Sequence, residues 1–297
     1  MITSSAPNVY ALGASKNIGY FASLRLLEKG ASVTFLLRNP SVFDSDKQIQ
    51  EYVSKGKVKL VKGDGLSKED VKKGWDASTE LGGGKVDLAL SSIGGLPKFS
   101  ITGGFIMDPP DLVTHSFLNL LLALSTSPSP NNTKLVAISS TGLTKKAHAS
   151  LPLLLKPLYG FLLKTPHEDK LGLEKLLSDA AGWTWDTTQP ISPNIVPHNY
   201  QDQFKMETFK WENGWFKNFV ILRPALLTDG ECRADVLKLK EEKKGKKKDK
   251  KPYRISTEES AVADGYSISR KDVAHFIVEG AVANWDDWTG KVANLAY

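Results

Sequence analysis

Residues 8–40 read NVYALGASKNIGYFASLRLLEKGASVTFLLRNP, a stretch that predicts a strand, a helix and a second strand. The first apolar run stops at Gly13, as a buried strand would. From Ile18 to Glu28 the apolar residues recur at helical spacing, and Gly30 predicts the end of that helix. Ser32 to Leu37 is rich in β-branched and aromatic residues, which favours a strand. This order is typical of a βαβ unit with parallel strands.

The same alternation continues along the chain. It predicts an α/β fold, a Rossmann-type doubly wound parallel sheet with a smaller C-terminal substrate region. We expect residues 1–297 to form one nucleotide-binding domain. Further strands are predicted at 57–61, 86–90, 134–138 and 219–222, and further helices at 112–124, 166–181 and 268–281.

Composition limits the class of protein. The chain has 297 residues, 41% hydrophobic and 24% charged, which predicts a globular fold rather than a disordered chain. Its one cysteine, Cys232, excludes an internal disulfide framework and a cysteine-built zinc site, and no metal site is predicted. The N-terminus does not resemble a secretory signal, and no apolar run reaches the ~20 residues that a membrane span needs. We therefore expect a soluble, cytoplasmic protein.

The positive charge is concentrated in one lysine-rich tract. The net charge is +6, and residues 238–251 hold nine lysines and three acids, so this tract alone accounts for it. The tract has no interleaved aromatic residues to stack on bases, so we do not expect nucleic-acid binding. A solvated, mobile loop over 238–252 is the simplest interpretation. Nuclear import or polyanion binding is the alternative.

The turn after the first strand predicts a dinucleotide-binding site. Gly13 would permit the tight turn, and Gly19 would let the helix pack closely on the sheet. Asn17 stands where a middle glycine is usual, and asparagine tolerates the left-handed region better than most residues. The backbone amides of the turn would hold the pyrophosphate. The predicted phosphate-binding residues are Gly13, Ser15, Lys16, Asn17, Ile18 and Gly19.

The end of the second strand indicates which cofactor binds. NAD-binding proteins usually place an acid there to bind the ribose hydroxyls, whereas this chain has no acid before Asp44. Arg38 offers a guanidinium that suits a 2′-phosphate, and Lys16 could reach the same group. The sequence therefore predicts NADP. The alternative is that Arg38 is only a solvated residue at a strand end.

Two further strand ends add candidate cofactor contacts. Asp64 and Gly65 follow the third strand, where Asp64 could accept from the adenine amino group or serve only as a turn residue. Ser91, Ser92 and Ile93 follow the fourth strand. Small residues at this edge would let a cofactor lie against the strand ends.

The motifs GASKNIG, LLRNPS, GDGL, AISSTG and ILRPALLTDGE together resemble the short-chain dehydrogenase/reductase superfamily. The specific resemblance is to its atypical branch of NmrA-like and biliverdin/flavin reductase-type proteins. It covers the chain from Asn8 to about Ala181 and from Asn218 to Tyr297. The resemblance implies an NAD(P)-binding fold with Pro224 and Ala225 beside the nicotinamide.

The superfamily's catalytic pattern is only partly present. The resemblance places Ser140 where a hydroxyl orients the substrate carbonyl, although a plain turn hydroxyl is the alternative. The Tyr-x-x-x-Lys motif is missing, because Tyr159 is followed by Lys164 one residue too late. Alignment of KLGLEKLL instead puts Glu168 and Gly172 at the positions of the Tyr and the Lys.

Residues 165–168, TPHE, read as a capping box that opens a new helix. His167 at its start is the one candidate proton donor near the expected nicotinamide site. The alternative is a solvated surface histidine.

Residues 183–218 form an aromatic-rich insertion relative to the superfamily. Its second half predicts a helix with Tyr200, Phe204, Trp211 and Trp215 on one face. This face could pack on the core, or it could form a lid over a flat substrate.

These observations support two hypotheses. The first is an NADPH-dependent oxidoreductase acting on a small carbonyl or conjugated, aromatic substrate. The second is a non-catalytic NADP(H)-sensing regulator of the NmrA-like kind, which binds a protein partner and could be nuclear. The missing Tyr and Lys favour the regulator, and the aromatic insertion favours the enzyme.

Overall fold

The computed structural model describes residues 6–95, 98–100, 104–144, 164–188, 191–205, 209–244, 251–257 and 261–297. Their central feature is an eight-stranded sheet in the order β10-β12-β8-β7-β4-β1-β2-β3. Its strands are β1 (Asn8–Leu12), β2 (Ser32–Leu37), β3 (Val58–Lys62), β4 (Leu88–Ser91), β7 (Lys134–Ile138), β8 (Phe219–Pro224), β10 (Arg254–Ser256) and β12 (Lys291–Ala296).

The sheet is parallel except at one edge, where β10 runs antiparallel to β12. Two small sheets complete the strands: β5 (Lys98–Ser100) pairs with β6 (Gly104–Ile106), and β9 (Leu226–Thr228) pairs with β11 (Ser267–Ser269). The predicted α/β fold with a mostly parallel sheet is confirmed.

Helices cover both faces of the sheet. One face carries α1 (Asn17–Glu28), α2 (Lys47–Ser54) and α7 (Arg270–His275). The other carries α3 (Lys68–Leu81), α4 (Leu112–Ser125) and α5 (Lys164–Ala181). Two helices near the C-terminus, α6 (Arg233–Lys244) and α8 (Trp285–Trp288), complete the described set.

The first strand shows why the core has two halves. All five of its residues are buried. Val9 and Ala11 pack into the layer of α1, while Tyr10 and Leu12 pack into the layer of α4. Successive side chains of a strand point to opposite faces, so a central parallel strand is mostly apolar, and the buried amide of Asn8 is bonded to the carbonyl oxygens of Ser78 and Lys85.

Most predicted elements are present, with ends shifted by at most two residues, but the late helix differs in character. The helix predicted at 268–281 is present but begins two residues later, as α7, and continues as a π-helical segment at Phe276–Val282, whereas Ile268 and Ser269 belong to β11. Ser269 sets this boundary, because its side chain accepts a hydrogen bond from the amide of Asp272 and caps α7. Ile268 consequently pairs with Leu227 in the small sheet.

Two sequence interpretations of local structure are wrong. Thr165 does not cap a helix, because α5 already includes Lys164 and Thr165 lies within its first turn. Residues 238–244 do not form a loop but continue α6. The start of α6 is fixed by Asp272, whose carboxylate accepts from the amides of Arg233 and Ala234. Within the described ranges, no helix is both long and apolar enough to cross a membrane.

Candidate functional site

The turn between β1 and α1 is built for close approach. Gly13 has a φ of +73°, and a Cβ atom there would lie 2.4 Å from the backbone nitrogen of Ile93. A Cβ on Gly19 would lie 2.2 Å from Ser92 Oγ. Asn17 adopts a φ of 59°, in the left-handed region that the sequence predicts for it. The turn therefore draws α1 tightly against the carboxyl ends of β1 and β4.

The N-terminus of α1 is left open. Among the described residues no side chain caps it, and its first turn holds no acid. By contrast, Asp46 caps α2 and Ser67 caps α3. Ser15 is half-buried in the turn, and the side chain of Ile18 is buried in the core, so only its backbone faces this end. Uncapped amides at a helix N-terminus are suited to an anion.

Two cations flank this open end. Lys16 precedes α1, and Arg38 follows β2, the strand next to β1. Both side chains are exposed. Within the described part of the chain neither forms an ion pair with a carboxylate. Their charge is therefore available to a phosphate, as the NADP prediction requires.

The geometry favours the turn interpretation of Asp64. Its Oδ1 accepts from the amide of Leu66 at 3.0 Å, and its own amide donates to Asp70 Oδ2 at 2.9 Å. Gly65 is needed for close approach, because a Cβ there would lie 2.9 Å from the side chains of Ile93 and Ser116.

Ser91 and Ser92 have internal roles at the end of β4. Ser91 is buried, at 3% exposure. Ser92 Oγ lies 3.1 Å from the carbonyl oxygens of both Leu12 and Gly13, and its hydroxyl donates to this pair of oxygens. This contact connects the end of β4 to the end of β1. Ile93, half-buried next to Gly13, remains the residue of this group that lies against the phosphate turn.

Polar groups at the ends of β7 and β8 make few hydrogen bonds to other described residues. The Ser140 hydroxyl is half-buried and makes one long hydrogen bond, 3.3 Å, to the carbonyl oxygen of Thr141. Thr141 Oγ1 is buried without a hydrogen-bond partner among the described residues. Pro224 accepts from the Thr141 amide at 3.1 Å, and Ala225 is buried behind it. These groups fit a cofactor that would complete their hydrogen bonding.

Helix α5 brings two titratable groups to the same edge. Lys170 Nζ donates to the carbonyl oxygen of Ser139 at 2.9 Å and lies 3.4 Å from that of Ile138. Burial lowers the pKa of Lys170 to about 8. His167, half-buried, lies one helical turn before Lys170 and thus farther out from the strand ends. Tyr159 lies outside the described residues.

Gly172 is a packing position, as α5 and α4 are in close contact. A Cβ there would lie 2.3 Å from Thr114 Oγ1. The neighbouring Asp169 is buried, and its two carboxylate oxygens accept from the amides of Val113 and Thr114, both at 2.8 Å. Burial raises the pKa of Asp169 to about 6 despite these bonds. The N-terminus of α4 is therefore occupied by the protein's own carboxylate.

Sequence reasoning missed a buried polar network under the site. Arg223, on β8, binds the Glu174 carboxylate of α5 through Nε at 2.8 Å and through a second nitrogen. The Ser139 hydroxyl donates to the same carboxylate at 2.5 Å. Glu174 and Arg223 are only 3% and 5% exposed. The one signal for this network was a charge inside an apolar strand, FVILRP, because a buried charge needs a partner.

The aromatic insertion does not form a lid. Phe204, Trp211 and Trp215 pack on one another, with ring centroids 4.7–6.1 Å apart. They join the core near Phe216 and Phe219, where β8 begins. The candidate site lies at the opposite, carboxyl ends of the strands, so these aromatics cannot cover it. The predicted helix is also wrong, because the described part holds a short 3₁₀ helix at Tyr200–Phe204.

Known structures share this architecture. A short-chain dehydrogenase from Burkholderia cenocepacia, solved with NADP, superposes with a TM-score of 0.55 over 93% of this chain and 92% of its own, at 14% identity. The chain has the short-chain dehydrogenase/reductase fold. YwfH, an NADPH-dependent reductase involved in bacilysin biosynthesis, superposes with a TM-score of 0.55, covering 97% of both chains at 12% identity.

One sequence relative matches the chain along its whole length. The reductase pytE of Aspergillus terreus is 27% identical over 308 residues, covering 100% of both chains. No protein-family model matches the sequence.

Proposed function

We propose that the protein is an NADPH-dependent oxidoreductase that reduces a small carbonyl or conjugated, aromatic substrate. The observation that carries the proposal is the open N-terminus of α1, beside which Lys16 and Arg38 have no carboxylate partner among the described residues. A helix N-terminus flanked by free cations suits a phosphorylated dinucleotide. The whole-length similarity to a reductase supports a redox role over the alternative regulator that binds a protein partner.

In this proposal the cofactor lies along the carboxyl edge of the sheet. The turn residues Gly13, Ser15, Asn17, Ile18 and Gly19 would hold the pyrophosphate. Lys16 and Arg38 would bind the 2′-phosphate. Along the remaining edge, the nucleotide and the nicotinamide would contact Gly65, Ile93, Pro224 and Ala225, while Asp64, Ser91 and Ser92 would hold this edge in its shape.

When bound, the cofactor would supply a hydride to the substrate. Ser140 would donate a hydrogen bond to the substrate carbonyl oxygen, where negative charge develops. The proton for that oxygen would come from His167 or Lys170, which lie on one face of α5. The described residues of α5, Lys164–Ala181, contain no tyrosine, which supports a mechanism of the atypical kind that does not use the Tyr-x-x-x-Lys motif.

The pH dependence of reduction separates the two proton donors. If the ammonium of Lys170 is the donor, the wild-type rate falls above pH 8, because the pKa of Lys170 is about 8, and Lys170→Met should lower the rate and remove this fall. If His167 is the donor, Lys170→Met should leave the rate nearly unchanged, and His167→Ala should lower it.

The test of the proposal is NADPH oxidation against a panel of quinones, flavins, aldehydes and enones. We expect turnover with at least one class, and at least ~10-fold loss of NADPH affinity in Arg38→Ala. Lys57→Ala is the matched control, because Lys57 is also exposed but lies at the amino end of β3, opposite to the carboxyl ends where the cofactor would bind. Tight NADPH binding without turnover on any acceptor would favour the regulator, and absence of NADPH binding would refute both.

A further inference from the structure

A cavity lies away from the candidate cofactor site. It has a volume of about 450 Å³ and lies between α6, the segment around β10, and Tyr297, the residue that follows β12. Its lining contains none of the residues assigned to the cofactor or to catalysis. It borders the β10–β12 edge and the layer of α7, whereas His167 and Lys170 lie on α5 in the opposite layer.

The inner surface of this cavity is aromatic and fixed in place. The Tyr253 hydroxyl is bonded to His275 Nδ1 at 2.8 Å. The Tyr297 hydroxyl donates to Asp272 Oδ2 at 2.6 Å. Leu237, from α6, adds an apolar wall. Because the hydroxyls are engaged elsewhere, the rings offer the cavity mainly an apolar surface of defined shape.

The rim of the cavity is strongly cationic. Four of its lining residues are cations, Arg233, Lys240, Lys251 and Arg254, against one acid, Glu231. The Arg233 guanidinium lies 3.3 Å from the centroid of the Tyr297 ring, and Arg254 donates to the carbonyl oxygen of Ala263 and to a main-chain oxygen of Tyr297.

Two acids near this rim, Asp235 and Asp272, are engaged by other groups. Asp235 pairs with Arg25, and Asp272 accepts from backbone amides, Ser269 and Tyr297. Within the described ranges, Arg233, Lys240 and Lys251 form no ion pair with a carboxylate. An apolar floor below unpaired cations is complementary to a molecule that is apolar at one end and anionic at the other.

We propose that this cavity binds a small amphipathic anion, an aromatic or aliphatic acid, at a site separate from the cofactor. The apolar body would contact Tyr253, Tyr297 and Leu237, and the acid group would contact Arg233 and Lys240. About 450 Å³ lies within the usual range of small-molecule sites. This proposal does not depend on the proposed reductase activity.

The first test is calorimetric titration of the full chain with 1-naphthoate. We expect 1:1 binding with a Kd of about 1 mM or tighter, the value that ordinary ligand efficiency gives for a molecule of this size. The uncharged 1-naphthylmethanol lacks the anionic group, and inorganic phosphate lacks the apolar body. Each should therefore bind at least ~10-fold more weakly than 1-naphthoate. Equal binding of the alcohol or of phosphate, or no binding of naphthoate, would overturn the proposal.

Variants on one helix locate the site. Lys240→Glu should weaken naphthoate binding at least ~10-fold, and Arg233→Gln should weaken it similarly. Lys238→Glu is the matched control, because Lys238 is equally exposed on α6 but does not line the cavity. Glu231→Gln should strengthen binding, because it removes the one acid of the rim. An equal loss in Lys240→Glu and Lys238→Glu would show a diffuse charge effect and overturn the assignment.

Competition distinguishes this site from the cofactor site. Saturating NADPH should leave the naphthoate Kd within about 2-fold, and Lys240→Glu should leave NADPH affinity within the same limit. One-for-one displacement of naphthoate by NADPH would place the probe in the cofactor site and refute the separate cavity. Failure of NADPH to bind at all would refute the proposed function while leaving this test interpretable.

Discussion

Removing the Arg223 guanidinium should destabilise the fold far more than removing a surface cation. Arg223 and Glu174 form a bidentate ion pair that is almost fully buried, and Ser139 donates to the same carboxylate. Arg223→Met would leave that carboxylate in the core without its counter-charge. Uncompensated buried charges are among the costliest defects in a protein interior.

The expected magnitude follows from the burial. Breaking a buried pair by removing one partner costs about 3–5 kcal/mol. Unfolding entropy near 2.1 cal/mol/K per residue, over 297 residues, gives about 0.6 kcal/mol/K. The melting temperature of Arg223→Met should therefore fall by about 5–8 °C.

A double-mutant cycle identifies the cause. Arg223→Met/Glu174→Met removes both charges, so it should recover at least half of the lost stability, less the cost of leaving the Ser139 hydroxyl unpaired. Lys72→Met is the control, because its pair with Asp76 is exposed, and its melting temperature should change by less than about 1 °C. Calorimetry measures all of these. A loss below about 2 °C in Arg223→Met, or a double variant no more stable than the single, would refute the reasoning.

Four further predictions concern cofactor, catalysis and charge. Arg38→Ala should remove a preference for NADPH over NADH of ~10-fold or more, measured by quenching of tryptophan fluorescence; equal affinities in the wild type would contradict it. Ser140→Ala should lower kcat/KM by ~10- to 1000-fold in steady-state assays, as loss of one positioned donor does, whereas Tyr159→Phe should have little effect. Deleting 245–250, which follows α6, should leave the melting temperature and NADPH affinity nearly unchanged, and a large loss of stability would show that these residues belong to the core. The pKa of Lys170 is lowered to about 8 from the ordinary 10.5, so between these pH values the unfolded chain binds more protons than the folded one. The free energy of unfolding of the wild type, measured with urea, should therefore rise from pH 8 to pH 10.5 relative to that of Lys170→Met. Parallel pH dependences of the two proteins would refute the assignment.

The sequence predicted the architecture because the sheet is nearly all parallel. Strands buried on both faces are mostly apolar, so β1 and β2 stand out as apolar segments with Asn8, Ser32 and Thr34 as their polar residues. Gly30, with a φ of +90°, ends α1 as expected. These local signals agree with the global fold, which is why a doubly wound parallel sheet could be anticipated from the alternation of strands and helices.

The aromatic insertion shows where periodicity misleads. Trp211 and Trp215 are four residues apart and do share a cluster, but a turn brings them together, not a helix. The amide of Trp215 donates to the carbonyl oxygen of Glu212, and Gly214 has a φ of +85°. The dipeptide Asn213-Gly214 is a strong turn signal that outweighs helical spacing.

The network of Arg223 and Glu174 could not be predicted, because pairing depends on tertiary structure. The two residues lie 49 positions apart in the chain. A charged residue in a buried strand predicts that some partner exists, but several acids were available and only packing of α5 on β8 selects one. Residue type alone therefore identifies the need for a partner and not the partner.

The same limit applies to the predicted cofactor residues. Asp64 and Ser92 are polar residues at the carboxyl ends of the strands, yet the side chain of each is hydrogen-bonded to nearby backbone groups. Lys16 and Arg38, with equally suitable chemistry, remain unpaired within the described residues. A group can bind a ligand strongly only if the protein leaves it unsatisfied, because a bond already made must otherwise be given up. Whether a polar side chain is satisfied is a property of the fold, so a sequence motif can indicate where a binding edge lies but not which of its polar residues bind.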